Sequence, residues 1–259
     1  MPEIQILDEH TINQIAAGEV IERPASVVKE LVENSLDAGA KNIWIRIEEG
    51  GTSLIVVRDD GRGMDRVDAE NAFKKHATSK IRVFDDLQNV NTSGFRGEAL
   101  PSIASISRLR MSTCTKDDNI GTRITVEGEN ELVIEDLATP KGTKIEVADL
   151  FFNTPVRSKY LKRVSTELQH IVKIVTIEAI RRPDVSFTLT HGERKIVDAP
   201  ESDLKTRIGV LLGNDAAKEL IEFKGDSEDF QLRGFLTKPA ISRKTTSGPV
   251  SYTHLTLPT

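Results

Sequence analysis

Two periodicities follow each other directly near the start of this chain. From Pro24 to Ala38 the apolar residues Val28, Leu31, Val32 and Leu36, with Ser35, recur on one face of an α-helix of ~3.6 residues per turn. Asn42 to Glu48 then alternates Ile43, Ile45 and Ile47, Gly50-Gly51 offers a turn, and Leu54 to Arg58 returns. This spacing predicts an amphipathic helix directly followed by an antiparallel hairpin. Further strands are expected at Arg108 to Cys114, Thr122 to Glu127, Leu132 to Glu135, Thr143 to Val147, Val185 to Thr190 and Lys195 to Val197. Helices are expected at Glu98 to Ile106 and Thr166 to Arg181. Strands and helices interleaved in this order imply an α+β fold with helices laid on a sheet. Ala199 to Asp203 reads as a linker into a new helix starting at Asp203 or Leu204.

The polar face of the first helix carries Glu30, Asn34 and Asp37. Amphipathic helices ordinarily turn such a face to solvent, but two details here break local rules. Asn is a poor interior helix former, and Asp37 stands in the last turn before Gly39, where a carboxylate opposes the helix dipole. Rules broken together mark a site. The strand Leu54 to Arg58 runs into Asp59-Asp60-Gly61-Arg62-Gly63-Met64, an acidic turn. Asp and Gly are common in any surface turn. At a strand end, however, glycine lets the backbone approach a ligand, and a carboxylate there can accept an adenine amino group. Thr92 to Leu100 is glycine-spaced and leads into a helix, an arrangement that presents free N–H groups to phosphate oxygens. No Gly-x-x-x-x-Gly-Lys-Ser/Thr run occurs, so the phosphate cradle is not a P-loop, and Gly94-x-x-Gly97 lacks the context of a dinucleotide fingerprint.

The ordered set Asn13 to Val20, Glu30 to Ala40, Asp59-Asp60-Gly61-x-Gly63, His76 to Ile81, Gly94 to Leu100, Gly142-Thr143 and Leu150 to Arg157 resembles the MutL family of DNA mismatch-repair ATPases. That family belongs to the superfamily of DNA gyrase, Hsp90 and the histidine kinases. The resemblance covers roughly the first 240 residues. It implies a two-layer sandwich of helices on a mixed sheet at 1–200, then the start of a βαβ-type second domain at 201–259. Glu30 would be the catalytic base and Asn34 the Mg²⁺ ligand; Asp59 would read adenine, supported by Thr143, with Ala38, Gly63 and Met64 beside it. Thr78, Ser79, Lys80 and the run Gly94, Phe95, Arg96, Gly97, Glu98, Ala99 and Leu100 would form a lid over ATP. The resemblance further implies ATP-driven pairing with a second copy or a paralogue into a DNA clamp, and a partner of the MutS type that recognises mismatches. Where the family leads to a Val-Asn-Gly-Arg-like segment and a lysine for the terminal phosphate, Gly248-Pro249 leads here into the uncharged stretch 250–259. That departure leaves a second expectation open, a nucleotide- or DNA-binding module with weak or no hydrolysis. No nuclease site is assigned.

Composition adds bounds. A chain of 259 residues can bury a sizeable core. Its one cysteine, Cys114, forms no internal disulfide and fits a reducing compartment. No run approaches the ~18 apolar residues of a membrane span, and Glu3 and Asp8 do not suit a signal peptide. A cytoplasmic protein is expected, or a nuclear one in a eukaryote. The net charge of −5 is not that of a strongly basic nucleic-acid binder, so any DNA contact falls to local clusters: Arg157 with Lys159, Lys162 and Arg163; Arg181 with Arg182; Lys238 with Arg243 and Lys244.

Overall fold

In a computed structural model of the chain, the residues described are 20–75, 77–78, 97–128, 130–213, 218, 220–226 and 231–237. Ser79, Lys80, Gly94, Phe95, Arg96, the segment 13–19, the cluster at Lys238, Arg243 and Lys244, and the stretch 250–259 lie outside the described residues. Two compact units emerge. Described residues up to Val175, with Phe187–Asp198, make the first; Thr176–Ser186 and the described residues from Ala199 onward make the second.

The first unit opens with α1 (Pro24–Asp37), which begins on a proline that needs no N–H partner in the first turn. It ends in a Schellman motif. Gly39 adopts φ +77°, and the N–H groups of Gly39 and Ala40 donate to the carbonyls of Leu36 and Ser35 at 3.0 and 3.1 Å. The hairpin follows as expected: β1 (Asn42–Glu48) pairs antiparallel with β2 (Leu54–Asp59), and a turn of 3₁₀ helix at Glu49–Gly51 joins them. Next come α2 (Arg66–Asn71), α3 (Ala99–Ser105), β3 (Arg108–Cys114), β4 (Gly121–Glu127), β5 (Val133–Leu137), β6 (Gly142–Ala148), α4 (Pro155–Tyr160), α5 (Val164–Arg181), β7 (Ser186–His191) and β8 (Arg194–Ala199). The short helices α2 and α4 have six residues each, too few to show a period in the sequence. The α5 helix starts two residues before the expected Thr166.

The strands form one eight-stranded sheet in the order β5-β4-β3-β6-β2-β1-β7-β8. Registers align three rows across its buried face. Ile47, Ile55, Val147, Leu109 and Val126 form the first, and Ile45, Val57, Ile145, Met111 and Ile124 the second. These side chains are at most 7% exposed and form the core, each worth roughly 1.5–3 kcal/mol when fully buried. In the third row the chemistry changes: Ile43 is followed by Asp59, Thr143, Thr113 and Thr122. Helices cover this face. A Cβ on Gly51 would lie within 3.2 Å of Pro24 on α1, Ile171 on α5 and Ile55 on β2, so three elements converge there. The result is the expected α+β class, a layer of helices on a sheet.

In the second unit, α6 (Leu204–Leu212) starts where the sequence predicted. Its cap, Asp203, accepts the Thr206 N–H at 3.0 Å. Arg207 of α6 is fully buried and donates to the carbonyls of Ala179, Val185, Pro183 and Pro200 at 2.7–3.0 Å. The strands β9 (Leu220–Asp226) and β10 (Gln231–Thr237) pair antiparallel. No helix among the described residues is long and apolar enough to cross a membrane.

Candidate nucleotide site

Asp59 ends β2 on the buried face and is 6% exposed. Burial pushes its carboxyl above the ordinary 3.8, while the Gly61 amide, the Ser35 hydroxyl and the Thr143 amide act in the opposite sense by holding the charged form. The Gly61 N–H donates to Oδ1 and the Ser35 hydroxyl to Oδ2, each at 2.9 Å. Its neighbour Asp60 points elsewhere. Burial works against the Asp60 charge, but hydrogen bonds from the Asn42 side chain and from the amides of Asn42 and Lys41 outweigh that and hold its carboxyl below the ordinary value. Asp60 thus secures the start of β1, while Asp59 faces the end of α1.

The acidic turn is clasped to the end of α1. The Arg62 N–H donates to the Ala38 carbonyl at 3.0 Å, and a Cβ on Gly61 would come within 2.9 Å of the Ala38 Cβ. Gly63, at φ +70°, brings the turn so close to β3 that a Cβ would sit 2.1 Å from the Cys114 carbonyl oxygen. The Met64 N–H then donates to Thr113 Oγ1 at 2.9 Å. That hydroxyl lies 3.1 Å from the Gly142 carbonyl and 3.1 Å from Thr143 Oγ1. Ala38, Asp59, Gly63, Met64 and Thr143, which the family resemblance grouped together, are joined in one network. Sequence reasoning placed Ser35 on the apolar face and gave Thr113 no role beyond its strand. The available signal was a polar residue at the end of each apolar alternation, and it becomes a row only when the register is known.

Glu30 and Asn34 stand on α1 at intermediate exposure, as does Asp37, while Leu31, Val32 and Leu36 are buried. Lys29 lies 3.5 Å from Glu30 and 3.2 Å from Glu33. Burial lowers the Lys29 pKa, yet Glu33 and Glu30 together hold it above its ordinary 10.5. Of the expected lid, Thr78, Gly97, Glu98, Ala99 and Leu100 are described and half-buried. Gly97, at φ +63°, lies so near the Ala77 backbone that a Cβ would be 2.4 Å from its carbonyl oxygen. Among the described residues, no group of three or more His, Cys, Asp and Glu could hold a metal ion by itself.

Comparison with known proteins agrees with this fold. Residues 21–149 match the family described as histidine kinase-, DNA gyrase B-, and HSP90-like ATPase. The chain is 47% identical over 246 residues to the DNA mismatch repair protein MutL of Anaeromyxobacter sp. (strain K), covering 95% of this chain and 40% of that protein. Identity is likewise 47%, over 244 residues, to the MutL of Lactococcus lactis subsp. lactis, of which 37% is covered. The chain thus spans about 40% of the length of the curated relatives it matches. Among solved structures, the Aquifex aeolicus MutL ATPase domain complexed with ADP superposes with a TM-score of 0.66 at 33% identity, over 85% of this chain and 78% of that one. A half-buried carboxylate helix, a strand-end aspartate and this relationship together lead to one conclusion: the chain belongs to the MutL family of DNA mismatch-repair ATPases.

Proposed function

We propose that this chain binds ATP with Mg²⁺ beside Asp59, hydrolyses it slowly, and uses the bound triphosphate to draw two N-terminal regions into a clamp on DNA. It works in the cytoplasm with a mismatch-recognition protein of the MutS type. The observation that carries the reading is the Ser35–Asp59–Thr143–Thr113 network, built at the end of the helix that bears Glu30 and Asn34. The ADP in the Aquifex aeolicus relative supports it.

Each residue has a part. Asp59 accepts from the adenine amino group and Thr143 supports that side; Gly63 and Met64 let the turn lie against the base, and Ala38 closes the end of α1. Glu30 takes a proton from the attacking water as its oxygen bonds to the terminal phosphorus and the bond to the ADP oxygen breaks. A bound magnesium ion supplies charge neutralisation at the phosphates. With no carboxylate cluster among the described residues, the donors fit a cation held chiefly by phosphate oxygens and water, with the Asn34 amide as a neutral ligand. Ser79, Lys80, Gly94, Phe95 and Arg96, with Thr78 and Gly97 to Leu100, complete the lid. ATP shifts the chain to the closed, paired form only by contacting it better than the open one.

Glu30→Ala tests the reading. It is expected to bind a nonhydrolysable ATP analogue about as well as the unaltered chain while releasing no phosphate, and unchanged turnover would remove Glu30 from the base role. Binding without release in the unaltered chain would reduce the function to that of a nucleotide-binding module.

A further inference from the structure

The side chain just before Glu30 reaches across α1 rather than away from it. Consecutive residues of a helix point about 100° apart, so Lys29 and Glu30 ordinarily do not meet, whereas Lys29 and Glu33 stand one turn apart and do. Here Lys29 Nζ lies 3.2 Å from each carboxylate oxygen of Glu33 and 3.5 Å from Glu30 Oε1. An ammonium has three protons, enough for all three oxygens at once. Side-chain exposure falls from 44% at Lys29 and 25% at Glu30 to 7% at Glu33. A carboxylate as buried as Glu33 needs a partner, and among the described residues Lys29 is the cation paired with it. The two-point contact with Glu33 fixes the ammonium, and the ammonium in turn fixes Glu30 Oε1.

We propose that Lys29 is a positioning residue for hydrolysis: anchored on buried Glu33, it holds the Glu30 carboxylate by Oε1 and leaves Oε2 to meet the attacking water. The inference deepens the role proposed for Glu30 and rests on it. A base works only within hydrogen-bond reach of the proton it takes. Glu30 is a long side chain three residues from a second carboxylate, so without a cation between them like charges would drive it away from Glu33. Lys29 cancels that repulsion and ties the base to a buried point of the helix. It touches no reacting atom in this role. Its loss therefore falls on the rate of the chemical step, where misplacing a group by about 1 Å can cost as much as 100-fold, and spares the binding of nucleotide.

Lys29→Met keeps the apolar stem and removes the charge. In steady-state phosphate release its kcat is expected to fall about tenfold, while KM and the affinity for a nonhydrolysable ATP analogue stay within about twofold. Lys29→Arg, which returns a cation able to grip the Glu33 carboxylate, recovers most of the rate. Glu33→Gln removes the anchor and lowers kcat by a similar factor, and the double variant falls no further than either single one, because the two residues act through one contact. A merely structural role would give additive losses, no rescue by arginine, and a fall in analogue affinity alongside kcat. Those results, or an unchanged kcat in Lys29→Met, overturn the positioning role, and the base reading stands if Glu30→Ala is inactive in the same assay. Full release from Glu30→Ala, or none from the unaltered chain, removes the base reading and this inference together.

Discussion

The Ser35 hydroxyl lies 2.9 Å from Asp59 Oδ2 and 3.0 Å from the Leu31 carbonyl oxygen, and it has one proton to give. With Asp59 ionised, that proton goes to the carboxylate. With Asp59 protonated, the carboxyl can donate to Ser35 and the hydroxyl turns back to its own helix. The charge on Asp59 is thereby tied to the end of α1.

Nucleotide affinity should therefore depend on pH through Asp59. Its pKa is raised by burial, so acidification through a point above the ordinary 3.8 converts the proposed acceptor for adenine into a donor. ADP affinity is expected to fall across that window, read against Asp59→Asn so that titration of the phosphates cancels. The contribution of this group to folding runs the other way: the folded chain binds the proton before the unfolded one, so stability from Asp59 rises as pH falls towards 3.8 and then levels off. Identical pH profiles for the chain and Asp59→Asn would contradict both.

Ser35→Ala removes a hydrogen bond that favours the ionised carboxylate. The loss of a buried partner costs about 1–3 kcal/mol, and the pH at which ADP affinity drops should move further upward. ADP titrations at stepped pH read the midpoint; an unmoved midpoint would show that Ser35 donates only to Leu31.

Gly63→Ala and Gly192→Ala separate backbone strain from close approach. Both glycines have positive φ, +70° and +57°, so both alanines carry about 1 kcal/mol of strain. A Cβ at Gly192 meets nothing within 4 Å, whereas at Gly63 it would drive into the Cys114 carbonyl and push the acidic turn off β3. ADP affinity should survive Gly192→Ala and fall at least tenfold with Gly63→Ala. Equal effects on affinity would mean that the turn does not form the site.

Arg207→Met takes a buried cation away from four carbonyls, at a cost of about 3 kcal/mol or more. Hydrogen exchange should speed up first in α6 and at the Ala179 end of α5. Uniform acceleration throughout the chain would contradict a local role.

Much of this was legible in the sequence for identifiable reasons. The α1 face, the β1–β2 hairpin and the turn at Asp59 are written in neighbouring residues, where period and turn chemistry act locally. Thr113 was not legible as part of the site, because only the pairing of β3 with β6, some 30 residues apart, puts it beside Thr143. Ser35 was hidden differently: a small residue on an apolar helix face looks like filler until a carboxylate is found above it. The polar row rests on long-range registers and cannot be read strand by strand.

The most direct test of the central claim is a calorimetric titration of the chain with ADP and Mg²⁺ beside one with GDP. Guanine carries a carbonyl oxygen where adenine carries its amino group, so it would turn an acceptor towards the Asp59 carboxylate. Saturable binding of ADP with GDP at least about 100-fold weaker is the predicted result. Equal affinity for the two, or no binding of ADP, would contradict the assignment of Asp59 as the adenine reader.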